Sequence, residues 1–204
     1  MRSNAWTPIV TVISMLLAGA LHPANASSFL PRAIAPEQGI DVLGRADAQR
    51  VLGRQLLADP AGSAVWGEVH VYDRVPYVEA RYVHVTSDAG WNRLLYGIPG
   101  EAPHAFGQAG DGPGEFREPR GLAFAPDGRL FVTDRILGRV TVLQAAMTAA
   151  GPTLTYVDHI DGLVQPMDVV VHDGGTPAVA GDDCILVAEA GAHRVSLFSL
   201  ENSR

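Results

Sequence analysis

The chain has 204 residues, of which 47% are hydrophobic and 18% charged, and its formal net charge is −7. This acidic balance argues against a basic nucleic-acid surface, so we expect no nucleic-acid partner. The single cysteine, Cys184, excludes an internal disulfide, and its apolar neighbours predict a buried, unreactive thiol.

Residues 1–26 have the pattern of a secretory signal peptide. Arg2 precedes an apolar run from Pro8 to Leu21, and Ala24-Asn25-Ala26 offers small residues for cleavage. The run is shorter than the roughly 20 apolar residues of a membrane span. We therefore expect cleavage before Ser27, no stable membrane span afterwards, and a periplasmic or extracellular location.

Residues 27–62 form a different region, predicted to be a linker followed by a short helix. Prolines punctuate residues 27–39, and Asp47 is suited to cap a helix from Ala48 to Ala58 that ends at Asp59-Pro60. Val51 and Leu52 belong to an apolar stripe along this helix. We expect the stripe to pack on a neighbouring surface, with partner binding as the alternative.

From residue 63 the pattern predicts antiparallel strands. Apolar residues alternate from Val65 to Tyr72 and again from Tyr77 to Thr86, and two further strands are predicted at Trp91–Ile98 and Pro103–Gly107. These four strands predict a first antiparallel sheet over residues 63–107.

The stretch from Phe106 to Leu143 has the clearest organisation. A glycine-dense loop that includes Gly112 and Gly114 ends at Pro119, and strands are predicted near 120–125, 129–134 and 139–145. Asp127-Gly128 marks the turn between the first two strands. A strand follows the glycines where a phosphate site would need a helix N-terminus, so the pattern does not favour nucleotide binding.

This stretch resembles one NHL repeat, the unit of NHL-type β-propellers. The resemblance rests on Phe106-Gly107, on the run from Gly112 to Phe116, on Pro119-Arg120-Gly121, on Asp127-Gly128, on Phe131 to Asp134 and on Arg139-Val140. It implies a blade of four antiparallel strands, with 153–160 as the outer strand. Closed propellers typically have four to eight such blades.

A second match begins at Pro166, 47 residues after Pro119. Met167–His172 corresponds to the first strand of the preceding repeat, near 120–125, and Arg194-Val195 corresponds to Arg139-Val140. An enlarged loop is predicted over 173–183. We therefore expect an all-β partial propeller with blades at 63–107, 108–160 and 161–204, the last without its outer strand. Three alternatives remain for the incomplete ring: a truncated gene product, self-assembly through open blade edges, or a monomeric arc.

Two groups of residues stand out within these blades. The resemblance places a polar rim for a protein or small ligand on one face of the propeller, and the residues we assign to it are Arg117, Arg135, Asp168, Glu189 and His193, beside Asp111 and Glu115. We expect Asp134 with Arg139, and Glu189 with Arg194, to form hydrogen-bonded pairs within one blade. The full set of predicted structural residues is Gly112, Gly114, Pro119, Asp127, Gly128, Asp134, Arg139, Pro166 and Arg194.

Three functions follow. We favour a non-catalytic module that binds a protein or small ligand, without a cofactor. The resemblance also admits a metal-dependent lyase or a lactonase-like enzyme, for which the sequence offers only the weak set Glu68, His70, Glu79 and His84. The third is the N-terminal part of a larger cell-surface structural protein.

Overall fold

The computed structural model describes residues 57–72, 77–98, 101–172 and 183–200. The predicted signal peptide, the linker, the helix up to residue 56 and nearly all of the predicted enlarged loop lie outside these residues. Within these residues, eleven strands form three antiparallel sheets of four, four and three strands, which confirms the all-β class. In the described part of the chain, no helix is long and apolar enough to cross a membrane.

Sheet 1 consists of four strands that are neighbours in chain order: β1 (Pro60–Tyr72), β2 (Tyr77–Asp88), β3 (Arg93–Gly97) and β4 (His104–Phe106). Strand β1 begins five residues before the predicted Val65, and Leu57 to Asp59 are not helical. The predicted end of the helix at Ala58 is therefore wrong, and β1 begins three residues before the predicted first residue of the blade region, 63. Pro60 is tolerated there because the first residue of a strand need not donate to the ladder.

Sheet 2 contains β5 (Pro119–Phe124), β6 (Arg129–Asp134), β7 (Arg139–Thr148) and β8 (Gly151–Ile160). All four predicted strands are confirmed to within a few residues. At the predicted turn, Gly128 has φ 85°, in the left-handed region that glycine adopts at little cost. The Asp127 carboxylate accepts a hydrogen bond of 3.0 Å from the N–H of Arg129 and so supports the turn.

Sheet 3 contains three strands, β9 (Pro166–His172), β10 (Cys184–Glu189) and β11 (Arg194–Ser199), with β10 in the middle. A single 3-10 turn, Ala190–Ala192, is found between the second and third strands. Cys184 is half-buried and not buried as expected, because it lies at the start of a strand near one end of the sheet.

Sheet 2 lies between the other two and has a core on each face. Alternation along β6 sends Leu130 and Val132 to one core, which they share with Val83 and Val85 of sheet 1. The residue between them, Phe131, belongs to the other core. That second core contains Val169, Ile185 and Val187 of sheet 3. Burying a side chain of this size contributes about 1.5–3 kcal/mol, so these two cores hold the sheets together in chain order.

Candidate functional site

Asp134 ends β6 and is fully buried. Its carboxylate accepts hydrogen bonds from the N–H groups of Arg117 at 2.7 Å and Glu118 at 3.2 Å, which precede β5. It also accepts from Ile136 at 3.1 Å and Leu137 at 2.9 Å in the loop after β6. Bonds to a charged acceptor are roughly twice as strong as neutral ones. Asp134 therefore fastens the segment before the first strand to the loop after the second.

Asp88 has the same place in sheet 1. It ends β2, is fully buried, and accepts from the N–H groups of Ala58 and Asp59, both at 3.0 Å. Its other oxygen lies 3.6 Å from Nε of Arg93. The two N–H donors directly precede Pro60, the first residue of β1.

Glu189 has this place in sheet 3. The buried carboxylate accepts from the N–H of Val164 at 2.7 Å, from Nε of Arg194 at 2.8 Å and from the hydroxyl of Ser196. These bonds, led by that from Arg194 and followed by those from Ser196 and Val164, lower the pKa of Glu189 from 4.5 to about 2. The predicted pair of Glu189 and Arg194 is confirmed.

The three sheets thus repeat one local unit. In each, a buried carboxylate ends the second strand and pairs in register with an arginine five residues later that opens the third strand. Each carboxylate also accepts from one or two N–H groups that lie one or two residues before the proline that opens the first strand. The three units are Pro60, Asp88 and Arg93; Pro119, Asp134 and Arg139; and Pro166, Glu189 and Arg194. The first unit was missed, although its carboxylate-to-arginine spacing of five is visible in the sequence.

The predicted hydrogen-bonded pair of Asp134 and Arg139 is wrong. Arg139 is buried and turns towards the glycine-dense loop, where it donates to the carbonyl oxygens of Asp111 at 3.0 Å, Gly112 at 2.9 Å and Glu115 at 2.7 Å. Four N–H donors already occupy the Asp134 carboxylate. The two charged side chains therefore stabilise different loops and not each other.

The glycine-dense loop is held by its own side chains. Glu115 accepts from the N–H of Gly112 at 2.9 Å and from the amide of Gln108 at 2.8 Å. These bonds, chiefly the one from Gln108, lower the pKa of Glu115. Gly114 has φ 72°, so the turn before the buried Phe116 depends on glycine. The loop N–H of Gly112 is consequently committed to the fold.

The two arginines predicted for the ligand rim are paired with carboxylates. Arg117 donates to both oxygens of Asp111, the longer contact being 3.0 Å. Arg135 donates from Nε to Glu118 at 2.8 Å, and Arg120 donates to the same carboxylate. Burial raises the pKa of Glu118, but the bonds to its two arginines outweigh this and lower it.

The three rim residues predicted on sheet 3 have different surroundings. Glu189 and His193 line a shallow surface depression of about 550 Å³, whose other lining residues are Met167, Ala188, Ala190, Arg194 and Val195. We call it the sheet 3 depression. His193 is exposed and has φ 51°. Asp168 is exposed and accepts from the N–H of Val169 at 2.9 Å, without an ion-pair partner among the described residues.

The strand register separates one member of the weak metal set, His84, from the other three positions. The register of β1 and β2 places position 70 opposite position 79, whereas His84 is paired with Val65. Positions 79 and 84 are five apart on one strand, which separates them by about 17 Å and sends them to opposite faces. Among the described residues, no group of three or more His, Cys, Asp or Glu side chains could hold a metal ion.

Two hydroxyls that the sequence did not single out join neighbouring sheets. Ser87 is buried on β2, accepts from the N–H of Gly62 at 2.8 Å and donates to the carbonyl of Arg120 in sheet 2 at 2.6 Å. Thr133 repeats this in sheet 2, where it accepts from Gly121 at 2.8 Å. It lies 3.3 Å from the Met167 carbonyl in sheet 3.

Glycine allows these close approaches. A Cβ added at Gly62 would lie 2.4 Å from the carbonyl oxygen of Arg120, and one at Gly121 would lie 2.5 Å from Cα of Asp168. In sheet 3 the corresponding positions are Asp168 and Ala188, which are opposite each other in register. The glycine and hydroxyl pair therefore occurs in sheets 1 and 2 but not in sheet 3.

Comparisons with known proteins add little to this geometry. No protein-family model matches the sequence, and no curated protein matches it. These comparisons assign no family. A solved structure of hydrazine synthase from Kuenenia stuttgartiensis is similar, with a TM-score of 0.38 and 12% sequence identity. The match covers 72% of this chain and 46% of that chain, so the chain spans about half the length of that protein. A TM-score this low supports no conclusion about activity.

Proposed function

We propose that this chain is an exported, non-catalytic binding module built from consecutive propeller-type blades of the NHL kind. Three sheets that share cores in chain order, each with the same unit of proline, carboxylate and arginine, are what a propeller-type repeat requires. The match of residues 106–143 to the NHL pattern supports the same assignment, and residues 1–26 support export.

One observation carries the non-catalytic part of the proposal: the buried charged groups of sheets 2 and 3 are already used by the fold. The carboxylates of Asp134 and Glu189 accept from N–H groups and side chains of their own repeat, and Arg139 donates to three loop carbonyls. A general base, nucleophile or metal ligand needs a lone pair aimed at a substrate. In the units of sheets 2 and 3 the carboxylate lone pairs are aimed at the chain itself.

The sheet 3 depression is the surface we assign to binding. Met167, Ala188 and Val195 give it an apolar lining, and the exposed His193 adds a polar group at its margin. An apolar lining with few polar groups suits the side chain of a protein partner. A lysine or glutamate side chain would find no free charged group of opposite sign there, since Glu189 and Arg194 pair with each other.

Metal analysis with an activity assay tests this proposal against the enzyme alternative. The purified chain is incubated with Zn²⁺ and Ca²⁺, dialysed, and its metal content measured by mass spectrometry. A simple lactone and a peptidylglycine-type substrate are then offered with and without added metal. We expect much less than one metal ion per chain and no turnover above the rate without protein.

The outcome that contradicts the proposal is one bound metal per chain together with turnover. His193→Ala would identify the site if the sheet 3 depression were catalytic. His104→Ala is the matched control, because His104 is also exposed and does not line the depression. Loss of turnover in the first variant alone would assign the chemistry to that depression.

A further inference from the structure

We propose that the outward face of sheet 3 docks against the outward face of sheet 1 of a second copy of this chain. Two copies then form one closed assembly of six sheets, with the two faces in contact twice. The inference rests on the propeller-type stacking in the proposed function. It adds the identity of the partner, which is a second copy of this chain.

The register of sheet 3 defines its two faces. Val169, Val187 and Ile185 point towards the core shared with sheet 2. Residues between them point the other way and are aligned in cross-strand rows. The outward face of sheet 3 consists of Val170, Leu186, Ala188, Val195 and Leu197. Val170 is 56% exposed, and Val195 and Leu197 are each 65% exposed.

These outward positions correspond to the ones by which sheet 2 holds sheet 3. Leu186 stands three residues before Glu189, as Phe131 stands three before Asp134. Val195 and Leu197 correspond in the same way to Val140 and Val142, which follow Arg139 at the same distances. Phe131, Val140 and Val142 are buried in the core between sheets 2 and 3. Sheet 3 therefore presents to solvent the positions that bury a neighbouring sheet elsewhere in this chain.

Sheet 1 has the face that this arrangement needs. Ala64, Trp66 and Val83 pack on the core shared with sheet 2. The alternating positions face the other way, and there Val65 is 55% and Tyr82 46% exposed. We call this the outward face of sheet 1. The two outward faces thus lie at opposite ends of the series of three sheets, and both carry exposed apolar side chains, which mark interaction surfaces.

A second copy satisfies both faces at once. A contact between two different faces is heterologous, and it produces a ring when the rotation closes and a filament when it does not. The described residues of two copies supply six sheets, within the range of about four to eight blades in closed propellers. The contact continues the sheet-on-sheet packing already present twice within the chain, so it needs no new kind of interface.

The seam between copies differs from the seams within one copy at one point. Inside the chain, Gly62 with Ser87 and Gly121 with Thr133 bring neighbouring sheets close together. At the corresponding position sheet 3 has Asp168, which carries a Cβ where sheets 1 and 2 have glycine. We therefore expect a reversible dimer that Asp168→Gly tightens.

The test is light scattering during size-exclusion chromatography of the purified chain. We expect the wild-type protein to be a dimer, and Val195→Glu and Val65→Glu each to be monomers. In a dimer of either variant, both contacts between sheet 3 and sheet 1 would contain one introduced glutamate. An equal mixture of the two variants should form dimers, since one of its two seams then has both faces unaltered. Val157→Glu is the matched control: Val157 is 53% exposed but lies on the outer strand of sheet 2.

Circular dichroism confirms that each variant is folded. The dimer dissociation constant of Asp168→Gly, compared with that of wild type, is a second readout, because this substitution is expected to tighten the dimer and not to disrupt it. A monomeric wild type, or filaments, overturns the inference. A Val65→Glu dimer beside a Val195→Glu monomer also overturns it, because like faces would then be in contact. So does a mixture of variants that stays monomeric. A monomeric wild type without metal or turnover leaves the proposed function standing.

Discussion

The hydroxyl of Ser87 on β2 donates a hydrogen bond of 2.6 Å to the carbonyl oxygen of Arg120 on β5. This bond crosses from sheet 1 to sheet 2, and Thr133 lies at the equivalent position between sheets 2 and 3, 3.3 Å from the Met167 carbonyl. Both hydroxyls are fully buried. A buried polar bond of this kind fixes how two apolar faces align, because an alternative packing would leave the carbonyl unpaired.

Replacing Ser87 by alanine should reduce the free energy of unfolding by about 1–3 kcal/mol, since the half-buried N–H of Gly62 and carbonyl of Arg120 would lose this partner. Ser87→Thr keeps the hydroxyl and should recover most of the loss. Ser63→Ala, on the exposed side of the same sheet, is the control and should change little. Urea unfolding followed by tryptophan fluorescence measures all three. Equal midpoints for Ser87→Ala and wild type would contradict this role.

Gly121→Ala should destabilise the contact of sheets 2 and 3. The new Cβ would lie 2.5 Å from Cα of Asp168, so a strand must shift, and overpacking of this kind costs about 1–3 kcal/mol. At Gly112 a Cβ meets only the end of the Glu115 side chain, at 3.0 Å, which can move. Gly112→Ala is therefore the matched control, expected within about 0.5 kcal/mol of wild type. A thermal melt of both variants decides whether the close approach matters.

Much of the fold was predictable because each strand has a local signal. Alternating apolar residues from Val65 and the Asp127-Gly128 turn depend only on neighbours in the sequence. The start of β1 was predicted too late because Pro60 signals a strand opening as well as a helix end, and a short sequence window does not distinguish the two. The early start of the strand at Pro60 is defined only by its long-range ladder with β2.

The candidate site was less predictable, because the pairing of two charged side chains depends on the direction in which each side chain points. Spacing placed Glu189 and Arg194 side by side correctly, yet the same spacing failed for Asp134 and Arg139. In sheet 2 the glycine-dense loop presents three carbonyls to the guanidinium, and no periodic pattern encodes that. The role of Ser87 was hidden for the same reason, since its acceptor lies 33 residues away on another sheet.

Asp134→Ala should lower the melting temperature without changing the affinity of the folded protein for a partner. Four backbone N–H groups would lose their acceptor, and we expect a loss of about 1–3 kcal/mol. Asp134→Asn keeps one carbonyl oxygen and should cost less. Asp158→Ala, at an exposed carboxylate on β8, is the control. An unchanged melting temperature with lost partner binding would assign Asp134 to a binding site.

Because of Glu189, the free energy of unfolding should depend on pH. Its pKa falls from 4.5 to about 2 on folding, so the stabilisation is fully present above pH 4.5 and is lost as the pH falls towards 2. The difference in unfolding free energy between wild type and Glu189→Gln should therefore be largest near neutral pH and shrink below pH 4.5. Glu101→Gln, at an exposed site, is the control for the substitution itself and should stay within about 0.5 kcal/mol of wild type at neutral pH. A difference that is constant from pH 7 to pH 2 would contradict the role of the ionised carboxylate.

Methyl NOE spectroscopy of the folded chain tests the central claim most directly, that one sheet unit repeats three times with sheet 2 in the middle. Cross-peaks should join the methyl groups of Val132 and Leu143 to Val83 in sheet 1. Cross-peaks should also join the methyl groups of Val140 to those of Ile185 in sheet 3. Cross-peaks that join Val83 directly to Ile185, with none to sheet 2, would contradict the order of the sheets and with it the proposed propeller-type stack.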